Sequence, residues 1–198
     1  MAVLLSKRVA PLVKAEDIVR VEEGRFLAVP IRTLTKGISM WAISIYAPCV
    51  QKEKENFWKK VIPNRMELVK ARSSTKDMVL VGTDANITTI PEEDINWEQW
   101  KEEVRKKRLG KKRKEAENML GWMEEDYMVD IWRIQNEGER KYTWGHVGTR
   151  NRREREDEKK EEKEKEEEGR VIPERRIDYL LANTRSVQIC TGVRIMEE

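Results

Sequence analysis

The chain has 198 residues, 38% of them hydrophobic and 39% charged, whereas an average globular chain is roughly 25% charged. Its 40 basic residues nearly cancel 37 acidic ones, for a formal net charge of +3, so local charge distribution must decide whether a polyanionic partner is recognised. Two unclustered cysteines, Cys49 and Cys190, and one histidine, His146, exclude a disulfide framework and a zinc site.

No apolar run approaches the roughly 18 residues of a membrane span. The opening Met1–Leu5 is too short for a signal-peptide core and runs into Lys7-Arg8 without a cleavage site. A soluble, intracellular chain, nuclear or cytoplasmic, with no membrane partner is expected.

In chain order, Ala2 to Leu5 reads as a strand, and Arg25 to Ile31 as a second, β-favouring run. Ser39 to Tyr46, "SMWAISIY", alternates with Trp41, Ile43 and Ile45 on one face. Gly37 lies between these last two, which predicts a hairpin. Glu53 to Arg72 carries Phe57, Trp58, Val61, Ile62, Met66 and Val69 at helical spacing, with Pro63 expected to kink or split the helix. Met78 to Val81 is a short apolar strand. Glu98 to Asp126 is helical in composition, with interruptions expected at Gly110 and Gly121. Arg140 to Trp144, Arg176 to Leu181 and Val187 to Ile195 read as further strands. Residues 150–170 contain no apolar residue, so this charged low-complexity insertion is either a solvated single helix or disordered. Strands interspersed with helices predict an α/β or α+β domain with a mixed sheet, a single domain over 1–198.

Four segments carry the functional reading. They are "SIYAP" (Ser44 to Pro48), "VLVGTDAN" (Val79 to Asn86), "VDIWRIQNEGERKYTW" (Val129 to Trp144) and "RRIDYLL" (Arg175 to Leu181). In that order they resemble the endonuclease/exonuclease/phosphatase superfamily, and most closely the endonuclease domains of non-LTR (LINE-type) retrotransposons. The resemblance covers nearly the whole chain. Each motif alone is weak; their order and spacing are specific.

The resemblance implies an α/β sandwich of two packed sheets flanked by helices, here incomplete. It also implies a Mg²⁺- (or Mn²⁺-) dependent attack of water on a phosphodiester, with DNA as partner. Asp84 would activate or orient the water, and Asn86 and Tyr46 would contact the scissile phosphate. Asp178 would be the acid that orients the family's catalytic histidine, and Asp84 and Asn86 would serve the metal.

The departures are also specific. Thr83 and Ala85 flank Asp84 where the family has a Gly and a bulkier residue, and Cys49 stands where Asn is common. The family's metal-binding Glu strand and its closing Ser-Asp-His have no counterpart here, and His146 is misplaced in order. The expectation is therefore a fragment, truncated at both ends, with little or no nicking. Two alternatives stand beside it: a catalytically dead nucleic-acid-binding remnant, and a chain completed by another polypeptide.

Blander roles compete at each residue. Asp84 and Asn86 suit a capped turn after a strand. Tyr46 suits a core aromatic with its hydroxyl at the rim, and His146 a solvated loop. Asp178 within an apolar strand needs a partner or a function, with Arg175 or Arg176 a surface partner if the strand is an edge. The seven tryptophans read as packing rather than base-stacking platforms. The run Lys101 to Lys114, with Arg105, Lys107, Lys111, Lys112 and Arg113, suits a solvated helix face or a phosphate-backbone contact.

Overall fold

The structure is a computed structural model and describes residues 3–20, 24–32, 38–98, 102–143 and 175–187. Its sheet is built from β1 (Val19–Arg20), β2 (Phe26–Arg32), β3 (Ser39–Tyr46), β4 (Met78–Asp84), β5 (Met128–Asp130) and β6 (Asp178–Asn183). The strand order is β1-β2-β3-β4-β6-β5. The β3–β4 pair is parallel and every other pair is antiparallel. The α/β class and mixed sheet agree with the sequence, and one sheet of the expected sandwich is formed by the described residues.

A parallel pair needs a helical crossover, and residues 51–70 supply it. They form α1 (Gln51–Asn56), a π-helical stretch (Phe57–Val61) and α2 (Ile62–Lys70). Pro63 neither breaks nor splits this helix. It falls in the first turn of α2, and the wider π turn just before it accommodates the missing N–H.

The crossover packs Phe57, Trp58, Ile62, Met66 and Val69 onto the face of the sheet that carries Trp41, Ile43, Ile45 and Val81. Trp58 stacks obliquely on Trp122, ring centroids 5.6 Å apart, which brings in the long helix α4 (Glu102–Glu125). All the tryptophans within the described residues are buried, as packing predicts.

Several expectations need correction. Val3–Leu5 forms no strand, since nothing among the described residues pairs with it; Ala2 lies outside the described residues. Helix α4 runs unbroken through Gly110 and Gly121, anchored by Ala116, Met119 and Trp122. Two glycines cost it roughly 1 kcal/mol each, less than burial of those side chains contributes. Residues 140–143 are not a strand, although Thr143 N–H donates to the Arg175 carbonyl. Strand β4 extends three residues further than expected, to Asp84.

Val187 lies in the short helix α6 (Thr184–Val187). Gly37, Trp144, His146, residues 150–170 and 188–195 lie outside the described residues. Among the described residues no helix is long and apolar enough to cross a membrane.

Candidate active site

Strands β3 and β4 run parallel, so their carboxyl ends lie at the same edge of the sheet, and β6 starts there. Register then brings three polar residues into one row. Tyr46 is the Cα partner of Asp84, and Asp84 is the Cα partner of Asp178. Alternation along each strand puts all three on the sheet face opposite the helices. Along β6, Asp178 is exposed and the next residue, Tyr179, is buried. One step inward on this face stands Gly82, exposed, with nothing within 4 Å of where a Cβ would sit. The glycine therefore keeps the floor beside Asp84 open.

The turn after β4 is bound tightly. Asp84 Oδ1 accepts from the Asn86 N–H at 3.1 Å, and Asn86 takes the left-handed conformation, φ 51°. Such a turn favours Asn, whose short polar side chain tolerates it. The Asn86 amide nitrogen donates to the Ala47 carbonyl at 2.7 Å, and the Ala47 N–H donates to the Asp84 carbonyl. Lys54 Nζ donates to the Asn86 carbonyl at 2.8 Å. Asn86 is thus both the capped turn that its residue type suggests and a neighbour of the Asp84 carboxylate.

Electrostatics separate the members of the row. Burial first, and then the Asp178 carboxylate, push the Asp84 carboxyl above its ordinary value; the Asn86 N–H and the Lys54 ammonium oppose them. The Tyr46 phenol is also raised, by Cys49 and then by Asp84, so it remains a hydrogen-bond donor at neutral pH. Arg25 sits 5.6 Å over the Tyr46 ring. Desolvation pushes the Lys54 ammonium down, opposed by Glu115 and reinforced by Lys112 and Arg175.

Directly behind Asp178 lies a second group that the sequence reading missed. Arg176 is 1% exposed and pairs with Asp94 and Asp130, so it is not a surface partner of Asp178. Nor is β6 an edge strand, since it lies between β4 and β5. Arg133 also pairs with Asp94, and Trp132 offers its ring to both guanidiniums. The Tyr179 hydroxyl accepts from the Thr89 N–H at 2.9 Å and lies 2.8 Å from the Arg176 carbonyl. Desolvation pushes this phenol far above its usual range. Thr143 Oγ1 accepts from the N–H groups of Ile177 and Asp178. The residues on either side of Asp178 are therefore fixed by buried contacts while Asp178 itself points out.

The basic run lies on α4 and is only partly uncommitted. Arg105 pairs with Glu102, Lys112 with Glu115 and Arg113 with Glu92, while Lys107 and Lys111 are exposed. Among the described residues no three His, Cys, Asp or Glu side chains converge.

No protein-family model and no curated protein matches the sequence. Solved structures do match. An AP endonuclease from Leishmania major aligns with 85% of this chain and 48% of its own, at 14% identity and TM-score 0.56. An AP endonuclease from Archaeoglobus fulgidus aligns with 84% of this chain and 55% of its own, at 17% identity and TM-score 0.48. The endonuclease domain of the telomere-specific non-LTR retrotransposon TRAS1 aligns with 92% and 61%, at 13% identity and TM-score 0.48. The chain spans about half the length of the solved structures it matches. The likeness to the Leishmania enzyme shows the fold: an α/β fold of the endonuclease/exonuclease/phosphatase type.

Proposed function

We propose that the Tyr46–Asp84–Asp178 row is a phosphodiesterase-type site for a nucleic-acid backbone. The observation that carries this reading is the register: three motifs that are remote in sequence meet on three neighbouring strands at one edge. The two carboxylates suit a divalent cation. They face each other across a strand pair, and Asp84 is raised partly by Asp178, a repulsion that a cation relieves. Mg²⁺ needs only one or two protein carboxylates when waters and substrate phosphate complete its shell. Asp84 and Asp178 would hold Mg²⁺ or Mn²⁺; Asn86, its amide nitrogen on Ala47, would contribute at most its amide oxygen. When bound, such an ion neutralises charge on the phosphate.

The chain's own groups then divide the work. Tyr46 donates its hydroxyl to a phosphate oxygen. Asp84 accepts a proton from, or orients, the attacking water. Asp178 sits at the outer end of the row, its backbone fixed by Thr143. With only these two carboxylates together among the described residues, nicking by this chain alone is expected to be weak.

Supercoiled-plasmid nicking with Mg²⁺ or Mn²⁺, with and without EDTA, tests the proposal. Asp84→Ala should lower metal-dependent nicking by roughly 10²–10⁴-fold. Equal nicking in wild type and Asp84→Ala would sink the catalytic reading.

A second reading is non-catalytic binding, favoured by the exposure of Lys107 and Lys111 on α4. DNA retention should then be salt-sensitive and should fall when Arg105, Lys107, Lys111, Lys112 and Arg113 are neutralised. A third reading, completion by another polypeptide, draws on the half-buried Met40, Ala42, Leu80 and Leu180 of the sheet face that carries the row. A monomer that binds no exposed-surface dye would count against it.

A further inference from the structure

Lys54 has no role in the chemistry above, and its setting is unusual for a lysine. It lies in the run Gln51–Asn56, "QKEKEN", whose other members are exposed, yet it is only 6% exposed itself. Burying an ammonium is costly, and a neutral donor could satisfy one backbone carbonyl at lower cost. One acid, Glu115, serves three cations here: it pairs with Lys112 and lies within Coulombic reach of Lys54 and Arg175. The Lys54 ammonium also lies within Coulombic reach of Asp84.

The hydrogen bonds make a reciprocal clamp between the segments that follow β3 and β4. Lys54, eight residues past Tyr46, donates to the Asn86 carbonyl, and Asn86 donates back to the Ala47 carbonyl. Ala47 N–H closes the set on the Asp84 carbonyl. From this geometry we infer that Lys54 is a positioning residue: it holds the Asn86 turn against the end of β3 and, through that turn, stands behind Asp84 and offsets part of its charge from the buried side.

The holding role stands on the hydrogen bonds alone, whereas the balancing role rests on the proposed phosphodiesterase site. Two measurements on the full chain separate them. The first is amide hydrogen exchange by NMR. Lys54→Met keeps the length and burial of the side chain but removes the charge and donor. It should speed exchange at Asn86 by about tenfold or more, with Val81 and Thr83 in β4 unchanged. Lys54→Arg should restore most of the protection. If Asn86 exchange does not change, or if the β4 amides accelerate with it, Lys54 is not a positioning residue. Lys54→Gln serves the same purpose if Lys54→Met does not fold.

The second measurement is titration with Mn²⁺ alone, followed by paramagnetic broadening around Asp84. Removing a cation near Asp84 should tighten Mn²⁺ binding roughly threefold or more in Lys54→Met. A merely structural lysine would leave affinity unchanged or weaken it, and either result overturns the balancing role. If wild type shows no broadening that Asp84→Asn abolishes, the proposed site falls. The exchange measurement would still decide whether Lys54 holds the turn.

Discussion

Two sets of charges flank one another along residues 176–179, and they are settled in opposite ways. Arg176 and Asp94 are buried, Asp130 and Arg133 are half-buried beside them, and each acid there meets at least one guanidinium. Asp94 also accepts from the Ile90 N–H at 3.0 Å and the Thr89 hydroxyl at 3.2 Å. At the rim, Asp84 and Asp178 face each other with no salt bridge between either of them and a cation among the described pairs. The difference separates two uses of charge: ion-paired inside, where it specifies how β6, α3 (Pro91–Asp94) and α5 (Ile131–Gln135) meet, and offset only in part at the edge, by Lys54, where the remainder is available to a ligand.

The contrast predicts its own largest effect. Arg176→Ala should destabilise the fold by about 3–5 kcal/mol, because it empties a buried guanidinium site, leaves the half-buried Asp130 without its ion pair and leaves Asp94 only Arg133. Urea denaturation measures this, and a loss below about 1 kcal/mol would mean that the buried set is not the structural half of the pair. The damage should also reach Asp178, two residues on, through the Thr143 contacts.

A matched pair of tyrosines sharpens the same contrast at smaller magnitude. Tyr179→Phe leaves the buried Thr89 N–H without its acceptor and should cost about 1–3 kcal/mol. Tyr46→Phe removes an exposed hydroxyl and should change stability by no more than about 0.5 kcal/mol, while lowering any metal-dependent nicking. Equal stability losses for the two would erase the distinction between core and rim.

The two halves were not equally legible in the sequence. Period-two alternation exposed β3 through Trp41, Ile43 and Ile45, and helical spacing exposed the crossover from Phe57 to Val69. Tyr46, Asp84 and Asp178 were singled out by motif order. Their meeting depends on strand register, which no local pattern encodes. The buried set was missed because Arg176 looks like any surface arginine. Its partners Asp94 and Asp130 lie 82 and 46 residues away, beyond the reach of local spacing. Lys54 was hidden in the same way, inside a stretch of charged residues that reads as a solvated turn of helix. Length was misjudged where glycine argued against helix: Gly110 and Gly121 are tolerated because α4 is held by Trp122 against Trp58 rather than by its own propensity.

The smallest prediction concerns the cost of the charge that remains at the edge. Asp84 has its carboxyl raised above the ordinary 3.8 by burial and by Asp178, so the folded chain holds that proton more tightly than the unfolded chain does. Between the unfolded and folded values the native state binds more protons, and stability falls as pH rises through that window. Above it, the charged Asp84 is a net liability. Asp84→Asn should therefore stabilise the fold at neutral pH, by up to about 1 kcal/mol for like charges facing each other across a strand pair. The gain should shrink as pH falls towards the ordinary 3.8 and vanish well below it, where Asp84 is protonated in both states. Paired denaturation curves at several pH values read this directly. A variant less stable than wild type at neutral pH would mean that Asp84 is compensated within the chain and that the edge holds no spare charge for a ligand. A variant that is more stable and yet loses all Mn²⁺ response would instead tie the same unrelieved charge to both the cost in stability and the binding of a cation.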